Sequence, residues 1–139
     1  MERLLEYLNH HPVLTSLALA MALAVAAFEL RARKLNYASV QPQEAIQLMN
    51  QGAQVYDLRA AEAFAGGRIT GAKHMDPSAT DSAADTLKRF KEKLLVLYCE
   101  DGTRSTALTR QLHANGFTKV FNLRGGLATW RGEGLPLQR

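Results

Sequence analysis

From Val13 to Phe28 the chain carries no charged side chain, reading VLTSLALAMALAVAAF. As an α-helix this run rises about 24 Å at ~1.5 Å per residue, against a hydrocarbon core about 30 Å thick. Pro12 and Leu30 extend it, and Glu29 can reach headgroup level, so the segment is a short membrane spanner. Two other readings stand beside that one. The first is a buried core helix, but this run is apolar all round and sits at an extreme terminus. A cleaved signal peptide finds A-x-A sites at Ala22-Leu23-Ala24 and Ala24-Val25-Ala26, but it wants a positive leading region. Met1–His11 instead sets Arg3 against Glu2 and Glu6. The positive cluster, Arg31, Arg33 and Lys34, follows the run, which places the C-terminal part in the cytoplasm. The spacing of Ala18, Ala22 and Ala26 permits close helix contact, but in so Ala-rich a run an ordinary anchor explains it. The expected organisation is a flank over 1–11, an uncleaved transmembrane helix over 12–30, a basic juxtamembrane segment over 31–36 and one domain over 37–139.

After Lys34 no linker, repeat or low-complexity tract interrupts the chain, and strand and helix signals alternate. A short strand near Tyr37–Val40 leads to a helix with Pro42 in its first turn and Ala45, Ile46 and Met49 on its apolar face. Val55-Tyr56 runs into a second strand, Ala60–Ala65 is a short helix, and Ala72–Met75 is a weak third strand. A helix is expected over Ala83–Lys93, with Leu87 and Phe90 inward and Lys88, Arg89 and Lys91 outward. Leu94-Leu95-Val96-Leu97-Tyr98 is the strongest strand signal, a continuous apolar run typical of a strand covered on both faces. Arg104–Asn115 reads as a helix closed by Gly116, and Lys119–Asn122 as the last strand. Strands separated by helices imply an α/β fold with a parallel sheet.

Composition removes several classes of function. The single cysteine, Cys99, can close no intramolecular disulfide and forms no CxxC pair. The four histidines show no HExxH spacing, so no metal site is expected. A net charge of +4 without a dense basic run argues against nucleic acid as a partner.

What remains is the thiol. Open parallel sheets build their sites outside the C-terminal strand ends, where a loop turns into a helix. Cys99 stands there, in Cys99-Glu100-Asp101-Gly102-Thr103-Arg104-Ser105, between the central strand and a helix. Backbone N–H groups converging at a helix N-terminus favour a thiolate and cradle an anionic adduct. Gly102 permits positive φ or close backbone approach, and Arg104 offers a guanidinium for an oxyanion or for a structural ion pair. A lone cysteine is more often a small buried hydrophobe, but this placement reverses that expectation.

CEDGTRS resembles the active loop of rhodanese domains, C-x-x-G-x-[RK]-[ST]. Residues 55–75, VYDLRAAEAFAGGRITGAKHM, and residues 116–137, GFTKVFNLRGGLATWRGEGLPL, resemble the family's flanking motifs in the same order. The whole arrangement resembles the membrane-attached single-domain rhodaneses of bacteria. The resemblance implies a five-stranded parallel sheet flanked by helices, preceded by the one transmembrane helix. It implies a sulfurtransferase in which Cys99 is the nucleophile and carries sulfane sulfur as a persulfide. Glu100, Asp101, Gly102, Thr103, Arg104 and Ser105 would line the cradle for the transferable sulfur. The chemistry is two displacements through a covalent intermediate, with no cofactor and no metal. The implied partners are a small sulfur donor, a thiol or cyanide acceptor, a membrane or sulfur-carrier protein, and the bilayer itself. The implied location is the bacterial inner membrane, single-pass, with the catalytic domain facing the cytoplasm.

Asp57 and Arg59, at a strand end, are expected to brace neighbouring loops by charge-assisted bonds. Gly125-Gly126 with Trp130 is expected to turn the chain and seal the core, and His74 and His113 to be polar or half-buried. Two features depart from the family pattern. Gly67-Arg68-Ile69 stands where the family often has GHI, and Glu100 with Asp101 puts two carboxylates where many thiosulfate-using relatives are neutral or basic. Two rival functions remain. A cysteine phosphatase or arsenate reductase would show H-C-x5-R, whereas Tyr98 precedes Cys99 and Arg104 lies at C-x4-R. A non-enzymatic membrane-tethered interaction module would keep the fold and leave the thiol incidental.

Overall fold

The computed structural model describes every residue but Asn36, the last of the expected basic segment, and divides into two units, Met1–Lys34 and Leu35–Arg139. The first unit holds helices α1 (Glu2–His10) and α2 (Pro12–Leu35). His11 between them leaves the helical region at φ −128°, ψ 62°, and Pro12 starts the second helix without needing a backbone donor. Over Pro12–Lys34 this helix has mean hydropathy 2.1 and is long and apolar enough to cross a membrane, and none of its most apolar window is buried against protein. The helix continues through Arg31, Arg33 and Lys34, so the basic residues that follow the apolar run are helical.

The second unit is a five-stranded sheet in the order β1-β5-β4-β2-β3, every pairing parallel. The strands are β1 (Ser39–Val40), β2 (Gln54–Asp57), β3 (Lys73–His74), β4 (Leu95–Tyr98) and β5 (Val120–Leu123). Helices α3 (Pro42–Asn50), α4 (Ala61–Gly66), α5 (Ala83–Thr86), α6 (Thr103–Ala114) and α7 (Gly126–Gly132) connect and cover them. The all-parallel α/β sheet expected from the alternation of signals is the observed one.

Period-two alternation along β4 sorts the core. Leu95, Leu97 and Cys99 pack on one face with Leu87, Leu108, Leu112 and Phe117, while Val96 and Tyr98 pack on the other with Val55, Leu127 and Trp130. All four residues of β4 are buried, which explains its unbroken apolar sequence. Cys99 therefore inherits a direction from the pleat and continues the row of Leu95 and Leu97.

The long helix expected over Ala83–Lys93 is absent. Four residues of α5 give way at Leu87 (φ −95°, ψ 6°) to a 3₁₀ turn over Lys88–Phe90. Leu87 is fully buried, and Phe90 packs against the same cluster. A 3₁₀ turn eclipses side chains three apart, so it sets both on the core where an α-helix would begin to rotate them off. The inward and outward assignments of these residues hold although the helix does not. A 3₁₀ helix over Pro77–Ser82, with Asp76 accepting from the Ser78 N–H at its start, and helices α1 and α7 were not anticipated.

Candidate active site

The loop that leaves β4 is held from behind before it presents anything in front. The carbonyls of Cys99 and Glu100 accept hydrogen bonds from the backbone N–H groups of Leu127 (2.9 Å) and Ala128 (3.0 Å), in the first turn of α7. These two bonds tether the first two peptides of the loop to α7. The Gly102 N–H points at Sγ of Cys99 from 3.1 Å.

Two glycines make this geometry available. Gly102 sits at φ +90° as the residue before α6, with the backbone of Leu123, Gly125 and Gly126 close by. Gly126 sits at φ +63°, and a Cβ there would strike the carbonyl oxygen of Cys99 and come within 2.7 Å of both the Glu100 oxygen and the Gly102 nitrogen. Neither position accepts a side chain without moving the loop. The expected turn at Gly125-Gly126 is therefore also the clamp on the cysteine loop, and Trp130 does seal the core, 3% exposed with its indole N–H bonded to the Pro136 carbonyl.

Cys99 is 3% exposed, at the floor of a cavity of about 560 Å³ lined by Leu58, Arg59, Ala60, Ala63, Glu100, Asp101, Thr103 and Arg104. Its thiol has two acceptors in reach, Oδ1 of Asp101 at 3.6 Å and Oγ of Ser105 at 3.8 Å. Ser105 is fully buried and spends its own proton on the Gly102 carbonyl. Arg104 is exposed at the cavity edge and, among the described residues, its guanidinium has no hydrogen bond or ion pair.

The sequence puts two carboxylates beside the sulfur, and the structure separates them. Glu100 turns to the rim, where Arg131 from α7 donates to Oε1 and the Arg59 guanidinium lies 3.6 Å from Oε2. Asp101 alone faces Sγ. Its Oδ1 also accepts from the Thr103 N–H at 3.0 Å, and the Thr103 bonds hold its carboxyl below the ordinary carboxylate range.

Asp57 and Arg59 make the brace that their position at a strand end suggests. Asp57 is fully buried and takes Nε and Nη2 of Arg59 at 2.7–3.1 Å, together with the phenol of Tyr98 at 2.8 Å. Arg59 also donates to the Gly67 carbonyl, tying the loop after α4 to the sheet. Burial opposes its charge, but the Asp57 bonds and charge outweigh that and raise its affinity for the proton. Burial first, then the bond to Asp57, pushes the Tyr98 phenol well above its ordinary value, so it stays a donor.

His74 is half-buried with Nε2 2.7 Å from the Arg59 carbonyl, and His113 is half-buried with Nε2 2.8 Å from the Val120 carbonyl. Arg68, in place of the family's histidine, stacks on Phe64 at 4.6 Å and is not among the cavity-lining residues. Sequence reasoning missed Arg131, since nothing in the order of residues announces that α7 returns to the loop. Among the described residues no group of three or more His, Cys, Asp or Glu is placed to hold a metal ion.

An open parallel sheet with one thiol at the end of its central strand, where a loop enters a helix, places the chain in the class of α/β domains whose sites lie at the carboxyl ends of the strands. Within that class this chain belongs to the rhodanese-like domain family, whose sequence model matches residues 41–133. It is 29% identical over 141 residues to the uncharacterized protein YibN of Escherichia coli K12, covering all of this chain and 99% of that protein. It is 36% identical over 94 residues to the thiosulfate sulfurtransferase GlpE of Pseudomonas putida GB-1, covering 66% of this chain and 83% of that protein. The solution structure of the polysulfide-sulfur transferase homodimer of Wolinella succinogenes shares the fold, with a TM-score of 0.65 at 24% identity over 83% of this chain and 88% of that one.

Proposed function

We propose that the chain is a membrane-anchored sulfurtransferase that carries sulfane sulfur as a persulfide on Cys99 and passes it to a thiophilic acceptor. The observation that carries this reading is the Gly102 N–H aimed at Sγ from 3.1 Å, at the floor of an open cavity. A donor N–H fixed there stabilises the thiolate before attack and the charged outer sulfur after it. In the first half-reaction the thiolate attacks the sulfane sulfur of the donor. A bond forms from Sγ to that sulfur, the donor's own bond to it breaks, and the electron pair leaves with the departing group, which is sulfite when the donor is thiosulfate. In the second, a thiol or cyanide attacks the outer sulfur, the disulfide bond of the persulfide breaks, and the thiolate returns. The proton lost from the thiol has Asp101 within reach on its way to solvent.

No cofactor enters this scheme. Glu100, Asp101, Gly102, Thr103, Arg104 and Ser105 form the cradle, with Arg104 supplying positive charge at the mouth. The donor is a small sulfane compound or a protein persulfide, and the acceptor a small thiol, cyanide, or a membrane or sulfur-carrier protein. Helix α2 anchors the chain in the bacterial inner membrane, with Arg31, Arg33 and Lys34 holding the catalytic domain on the cytoplasmic side, where a lone thiol stays reduced.

Intact mass spectrometry after incubation with thiosulfate, polysulfide or glutathione persulfide tests the chemistry. Wild type gains the mass of one sulfur atom and loses it on adding cyanide. Cys99→Ser gains none, because no second thiol exists. A wild-type chain that takes up no sulfur from any donor overturns the reading. Alkylation access to single cysteines near each terminus in intact cells tests the orientation, and a periplasmic C-terminus rejects it.

A further inference from the structure

The two helices of the first unit differ in how apolar residues are distributed around them. Helix α2 is apolar on all sides until its basic last turn, as a span needs. Helix α1 is one-sided. At 100° per residue, Leu4, Leu5 and Leu8 fall with Met1 within an arc of about 100°, and Glu2, Arg3, Glu6, Asn9 and His10 take the opposite side. No residue of α1 is buried, and Leu4 and Leu5 are 70% and 66% exposed. A leucine stripe of this kind left in water is unfavourable, and three charged side chains in nine residues keep the helix out of the hydrocarbon.

We infer that α1 is an interfacial helix, lying in the plane of the bilayer surface with Leu4, Leu5 and Leu8 turned into the acyl boundary. This rests on the reading of α2 as a membrane anchor. If α2 spans, its first residue lies at one bilayer surface, and α1 ends two residues before it. The non-helical His11 and the following Pro12 break the path between them, which lets α1 leave the axis of the span. Continuity with that interface identifies the occupant of the stripe as lipid. One arginine against two glutamates gives the helix no excess positive charge, so the surface it fits is zwitterionic as readily as anionic, and the contact is apolar. Such a helix fixes the depth and tilt of the span.

The test uses the full chain with Cys99→Ser as a cysteine-free background, reconstituted in phosphatidylcholine vesicles. Single cysteines replace Leu5 on the stripe, Glu6 on the polar face and Leu19 within the span. Each carries a nitrobenzoxadiazole label. Lipids with a spin label high on the acyl chain should quench the Leu5 label most strongly, aqueous iodide the Glu6 label, and deeply placed spin labels the Leu19 label. The pattern should not change when salt is raised or when anionic lipid is added. Equal iodide quenching at Leu5 and Glu6, with Leu19 still in lipid, overturns the inference and leaves the anchor standing. A Leu5 label shielded from iodide yet untouched by lipid quenchers also overturns it, since the stripe is then covered by protein. Iodide quenching at all three sites overturns the anchor itself.

Discussion

A methyl group at Gly126 should cost more than its size suggests, because it would land on the cysteine loop's own backbone. Gly126 sits at φ +63°, where an L-residue loses roughly 1–2 kcal/mol. The added Cβ also meets the Cys99 and Glu100 oxygens and the Gly102 nitrogen, all main-chain atoms that no rotamer change can move. Overpacking of this kind costs about 1–3 kcal/mol more, for a sum of roughly 2–5 kcal/mol in Gly126→Ala. Against a typical stability of about 5–15 kcal/mol the domain still folds, but the loop must shift. A displacement of about 1 Å between reacting groups is worth on the order of 100-fold in rate, so sulfur uptake should fall by more than the loss of folded protein explains. Urea unfolding of the full chain in detergent, followed by the one tryptophan, Trp130 on the same helix, reads the stability. Persulfide formation at fixed folded fraction reads the rate. Two neighbours calibrate the argument. Gly132→Ala meets nothing within 4 Å and should be neutral or stabilising by up to about 1 kcal/mol. Gly125→Ala, at φ +73°, carries the same left-handed strain but meets the Thr129 side chain and no backbone, and Oγ1 of that side chain can rotate away, so it should fall between the other two. If Gly126→Ala loses less than about 1 kcal/mol and keeps full activity, the clamp between α7 and the cysteine loop is not what positions Sγ.

Asp101→Asn should raise the rate with thiosulfate about five- to tenfold at low salt, since a charge near 4 Å is worth about 1 kcal/mol even in water, whereas Glu100→Gln, already paired with Arg131, should change it little; equal effects in donor-dependence assays would refute the division of the two carboxylates. Asp57→Ala should destabilise the domain by about 3–5 kcal/mol in urea titration, because it strands the buried Arg59 guanidinium and removes the acceptor of the Tyr98 phenol. Thr103 holds the Asp101 carboxyl below its ordinary range, so this bond stabilises the start of α6 above that range and is lost as pH falls through the lowered value. The protection of the Thr103 amide in hydrogen exchange should drop on acidification in wild type and show no such step in Asp101→Asn; because the carboxylate is exposed, the effect should stay below about 1 kcal/mol.

The parts of this protein legible in one dimension are those governed by short-range periodicity and local chemistry. The uncharged run at 13–28 needs only length and hydropathy to be read as a membrane-length helix. Leu94–Tyr98 needs only its lack of polar residues to be read as a central strand, and Cys99 needs only its place after that strand to be singled out. The same local logic over-extends at Ala83–Lys93, where helical spacing is real but the core requires Leu87 and Phe90 on one line and breaks the helix to obtain it. Whatever depends on elements far apart in sequence was decided by the tertiary structure alone. Glu100 and Asp101 are adjacent and chemically alike, yet one is drawn to Arg131, thirty-one residues away, and the other stays with the sulfur. Gly126 reads as a turn until α7 packs its first amides onto the Cys99 and Glu100 carbonyls. A carboxylate goes to the nearest compensating charge or donor, and a glycine matters where another backbone approaches; both facts are set by which segments the sheet brings together, and local spacing holds no record of that.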